Sequence, residues 1–190
     1  MEQKGETLGR ALEIIRRTYL EINRLKDDFE ELLMTHDPLF KFSQEYSYGT
    51  NSLHLKANHT FLFVRAKEET ETDDFSQQGM VAIICIFYEE SGLDRVSLKN
   101  QPEIWFAALD VLNCDHKIKP WAIYELLKLE NRGEFSGNPL IIGGEVSQYH
   151  WKDDDTEEEW NGHFIGYPLV DITDIDALKE KVIDKLLAVT

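Results

Sequence analysis

Apolar residues recur along the first 35 positions at alternating spacings of four and three: Leu8, Leu12, Ile15, Tyr19, Ile22, Phe29 and Leu33, with Lys26 interrupting the series. That is the heptad pattern of a long amphipathic helix. Glu13 stands four residues before Arg17, and Arg24 four before Asp28, so the polar flanks can pair along the helix. The segment His36-Asp37-Pro38 ends it, because a proline pushes the residue before it out of helical geometry. The stripe needs cover, from the rest of the domain or from a second copy of the chain. Residues 1–36 are therefore read as a long helix packed on the domain or used for self-association, and 37–190 as a globular domain.

The period then shortens to two. Phe40, Phe42, Tyr46 and Tyr48 sit at even spacing, which predicts a strand with one apolar face. Residues 61–66, FLFVRA, and 80–88, MVAIICIFY, read as further strands. The second is apolar on both faces and belongs at the centre of a sheet covered on both sides. RVSL, 95–98, reads as a shorter strand. Asn100 and Glu103 have capping-box spacing ahead of Ile104, Trp105, Ala108, Leu109, Val111 and Leu112, which predicts a helix. A second central helix would open at Pro120 and end at Gly133.

Near the end, PLIIGGEVSQYHW reads as a strand bent at Gly143-Gly144, and WNGHFIGYPLV as its hairpin partner. Thr173 and Asp176 would cap a terminal amphipathic helix carrying Ile175, Leu178, Val182, Ile183, Leu186 and Leu187. The expected fold is α+β: a mainly antiparallel sheet of about five to six strands, with the N-terminal helix, two central helices and a C-terminal helix packed on it.

Charge changes the picture more than composition does. Of 190 residues, 36 are acidic and 20 basic, for a net charge of −16. Binding to nucleic-acid phosphates or anionic lipid needs the opposite sign, so neither is an expected partner. A charged, helical start and the lack of any long apolar run point to neither a signal peptide nor a membrane span, and a cytoplasmic location is expected. The acids are concentrated. Residues 66–78 hold five acids and one lysine, and residues 145–164 hold seven acids and one lysine. Together they carry −10 of the −16.

The densest stretch is HWKDDDTEEEW, in which Asp153, Asp154, Asp155, Glu157, Glu158 and Glu159 lie between Trp151 and Trp160. Such a run is commonly a wet hairpin tip. It can also steer a basic partner, with the tryptophans as apolar anchors. A calcium loop would alternate its ligands, whereas here the acids are consecutive, so no metal site or cofactor is expected.

Motifs for catalysis are sparse. Cys85 lies in an apolar run, and Cys114 is followed by Asp115 and His116, sequence neighbours that seldom form a nucleophile–base pair. No phosphate-cradling glycine motif occurs. His36, His54, His59 and His116 are scattered and read as turn or surface residues. The expectation is a non-enzymatic acidic protein-binding domain of inhibitor, immunity or accessory-subunit type, engaging a basic protein through Trp151, Asp153–Asp155, Glu157–Glu159 and Trp160. The alternative is a metal-dependent hydrolase or nuclease-like enzyme, with Asp110, Glu145 and His150 as candidate catalytic groups.

Overall fold

The computed structural model describes residues 2–48, 58–65, 79–87, 101–113, 142–143, 145–152 and 159–188, without the side chains of 2–5, 8, 48, 111–113 and 151. A long helix, α1 (Glu2–His36), precedes six strands: β1 (Phe40–Tyr48), β2 (Asn58–Arg65), β3 (Gly79–Ile86), β4 (Glu103–Asn113), β5 (Ser147–Lys152) and β6 (Glu159–Pro168). They form one sheet in the order β1-β2-β3-β4-β6-β5, and every strand pair is antiparallel. After β6 a 3-10 turn, Leu169–Asp171, leads to the C-terminal helix α2 at residues 175–186, whose middle, Lys179–Ile183, widens into a π turn. The architecture is α+β, as the alternation of periods predicts.

Both faces of the sheet are buried. One carries Phe61, Phe63, Val81, Ile83, Cys85, Ile104, Phe106, Ala108, Ile165 and Tyr167, packed against Ile22, Phe29 and Leu33 of α1 and Leu178, Val182, Ile183 and Leu186 of α2. Phe29 sits 5.4 Å, centroid to centroid, from both Phe63 and Phe106. The opposite face groups Leu62, Met80, Ala82, Ile84, Trp105, Leu109, Tyr149, Trp160 and Phe164. β3 is buried from Met80 to Ile86, which suits its place inside the sheet and its lack of polar alternation.

The helix stripe divides. From Ile22 onward it is core, but Leu12 is exposed and Ile15 and Tyr19 are only half-buried. Lys26, which breaks the heptad, still packs: its side chain is 20% exposed and its ammonium lies 4.7 Å from the Phe42 ring centroid.

Three expectations about the elements need correction. The first central helix is absent, because residues 103–113 form β4, and Glu103 begins a strand instead of closing a cap. Residues 103–109 are all buried, so this segment has apolar positions on every side and fits a helical spacing as readily as an extended one. The one-faced reading of β1 fails at a bulge between Phe42 and Gln44. The extra residue, Ser43, inverts the alternation, so Phe42 pairs with Phe63 on the helix-covered face and Tyr46 pairs with Thr60 on the other. The cap of α2 is Asp174, not Thr173. Asp174 is extended, its Oδ1 accepts from the Ala177 amide at 2.8 Å, and Thr173 Oγ1 donates to Asp174 Oδ2 at 2.9 Å.

The second central helix, the RVSL strand, Gly144 and the Cys114-Asp115-His116 group lie outside the described residues. Gly143 has φ +143°, a conformation that favours glycine, and its amide donates to Gly166 O at 3.2 Å.

Candidate functional site

Antiparallel order fixes which connections share an end of the sheet. Residues 66–78 join Arg65 of β2 to Gly79 of β3, and residues 153–158 join Lys152 of β5 to Glu159 of β6. Register puts these strand ends together: Gly79 pairs with Asp110, Asp110 with Asn161, and Asn161 with His150. β3 and β6 are separated only by β4, so their ends lie about 10 Å apart at strand spacing. Both acidic segments therefore leave and re-enter the sheet at one end. The C-terminus of α1 reaches the same end. His36 and Asp37 stand there beside Arg65, whose Nε donates to Asp37 Oδ2. That bond and the Leu39 amide, which donates to Asp37 Oδ1 at 2.9 Å, hold the Asp37 carboxyl below its ordinary range.

The side chains along this edge are polar. His150 Nδ1 lies 2.7 Å from Asn161 Oδ1, and its Nε2 lies 3.5 Å from Glu159 Oε1. Asp110 is exposed, on the same sheet face as His163. Burial lowers the His163 pKa, while the Asp110 charge opposes that shift, and a mostly neutral imidazole at pH 7 follows. A cleft of about 500 Å³ opens beside Asp110, between the α1–β1 junction, the ends of β2, β3 and β4, and Leu187 after α2.

The sequence-named residues divide accordingly. Asp110, His150 and Glu159 belong to this end, and Trp151 pairs with Trp160 across the hairpin. Asp153, Asp154, Asp155, Glu157 and Glu158 lie outside the described residues. Trp160 is 3% exposed and packed with Tyr149 and Phe164, so its indole supports the core and is not presented to a partner. Glu145 is exposed but precedes β5, five positions from His150, and does not join Asp110 and His150. Among the described residues, no group of three or more His, Cys, Asp or Glu side chains is placed to hold a metal ion.

A second polar grouping lies toward the opposite end. Asn58, Thr60 and Glu103 are buried on the sheet face that α1 does not cover, and Asn58 and Glu103 flank Ile86 in one register row. The alternation of Asn58, Thr60, Leu62 and Val64 against His59, Phe61 and Phe63 extends β2 three residues beyond the run FLFVRA. On the helix side, His59 is not the turn or surface residue that its sequence context suggests: it lies in β2, is 8% exposed, stacks on Phe61 at 4.5 Å and pairs in register with Cys85, while Glu45 Oε1 lies 3.7 Å from its Nε2. The grouping resembles a cysteine–histidine–carboxylate set, but burial pushes the Cys85 thiol up to about 12, which withholds the thiolate.

Comparison with known proteins gave no relative. No family model matches the chain, and neither a curated protein nor a solved structure does. No helix among the described residues is long and apolar enough to cross a membrane.

Proposed function

We propose that this chain is a non-enzymatic acidic domain that binds a basic protein, in the manner of an inhibitor, immunity protein or accessory subunit, through the end of the sheet where residues 66–78 and 153–158 are attached. The observation that carries the reading is topological. Two separate acidic segments, far apart in sequence, are joined to neighbouring strand ends. Charge gathered at one end steers a basic surface toward it and orients the encounter, whereas the same charge spread evenly would only aid solubility.

The test compares two baits in affinity capture: the native chain, and a variant with Asp153–Asp155 changed to Asn and Glu157–Glu159 to Gln. A basic protein retained by the native bait and lost from the variant supports the reading, provided the purified pair then binds with a steep salt dependence. Equal recovery by both baits overturns it. The alternative of a metal-dependent hydrolase draws on Asp110 and His150 sharing a row across β6. It has less support, because Glu145 stands apart from them.

A further inference from the structure

From the cleft beside Asp110 we infer a receptor for one long basic side chain, arginine or lysine, presented by the protein partner. This rests on the reading above and gives it a specific anchor. The cleft lies on the helix-covered face, with apolar walls from Phe40, Val81, Ala108 and Leu187, and Asp110 lining it. Such walls suit the methylene stem of a basic side chain, which carries its charge at the tip. Asp110 is exposed and makes no hydrogen bond or ion pair among the described residues. The cation already in the cleft, Arg65, is engaged by Asp37. One guanidinium against two carboxylates leaves the cleft net negative while His36, the other titratable group of the lining, is neutral. The cleft also opens at the sheet end that carries the two acidic segments, which attract the same kind of guest and oppose a carboxylate or phosphate. A planar guanidinium could be held by both oxygens of Asp110, a geometry that a lysine ammonium cannot match. An arginine is therefore the stronger guest.

The probe is a capped tri-arginine peptide, with a citrulline counterpart of the same shape and no charge. Each is titrated into the isotopically labelled full chain, following the methyl signals of Val81, Ala108 and Leu187. The native chain should show saturable shifts of these methyls with the arginine peptide and none with the citrulline peptide. Asp110→Asn should weaken binding about tenfold, the loss of a charge-assisted contact, with its fold unchanged by circular dichroism. The variant neutralised at 153–159 should bind more weakly, with a flatter salt dependence, while the same methyls still move.

If Asp110→Asn binds as the native chain does, or citrulline shifts the same methyls, the cleft is not a cation receptor. Should the 153–159 variant lose binding in that case, the acidic-surface reading survives without it. If Asp110→Asn loses binding and the 153–159 variant does not, the cleft stands and the wider reading loses that segment.

Discussion

Gly166 shows how tightly single positions are specified. A methyl group there would sit 2.7 Å from three ring atoms of Trp105, whose indole is fully buried and donates to Glu103 Oε2 at 3.2 Å. The ring cannot swing aside without breaking that bond and repacking its neighbours. Gly166→Ala should therefore destabilise the fold by about 1–3 kcal/mol, read from urea unfolding, and Trp105→Phe in the same background should recover part of the loss. At the surface, Asp174 acts through its bonds to the Ala177 amide and the Thr173 hydroxyl. Asp174→Ala should lower Tm by roughly 2–4 °C, as loss of a helix cap does in a chain of this size. The same bonds depress the Asp174 carboxyl, as Arg65 and the Leu39 amide depress that of Asp37. Both groups therefore add stability that is fully present above the ordinary carboxylate value, 3.8, and is lost as pH falls through their lower folded-state values. The double variant Asp37→Asn, Asp174→Asn should show a shallower fall of unfolding free energy between pH 5 and 2, traced by urea titration at each pH.

At the scale of elements, α1 is two different helices in one. The part from Ile22 onward belongs to the core, and Phe29→Ala should cost about 3–5 kcal/mol because it opens a cavity between Phe63 and Phe106. Leu12, 57% exposed, should be replaceable by Ala within about 0.5 kcal/mol. Chemical denaturation of the two variants checks both figures. The heptad spacing alone could not reveal this division, because spacing records which residues share a stripe and not how far the sheet extends beneath it. The same limit explains β4. Alternation was legible in β1 only as far as Phe42, and a strand apolar on both faces has no period to read. The bulge at Ser43 was invisible for a different reason: an inserted residue is a matter of pairing with β2, and only the partner strand reveals it. Of the site, the acidic segments and Asp110 were legible as charge. Their shared end of the sheet was not, because it depends on the order of strands.

For the molecule as a whole, both faces of the sheet are largely apolar among the described residues. Cys85 is sealed between α1 and the sheet, fully buried and with its thiol shifted to about 12. In a Cys114→Ser background, a thiol reagent should modify the native chain only at the rate at which it unfolds, and the rate should rise with urea in step with loss of circular dichroism. A faster, urea-independent reaction would reveal a local opening of the helix layer. The edge at β1 has its own consequence. The Phe42 amide there is bonded to Glu30 of α1 at 3.1 Å, one step from the bulge. A foreign strand seeking to extend the sheet at β1 would meet an amide already occupied and a backbone that falls out of phase after Ser43. What reads locally as an irregularity thus disfavours fibrillar growth at β1, the outer strand of the sheet among the described residues.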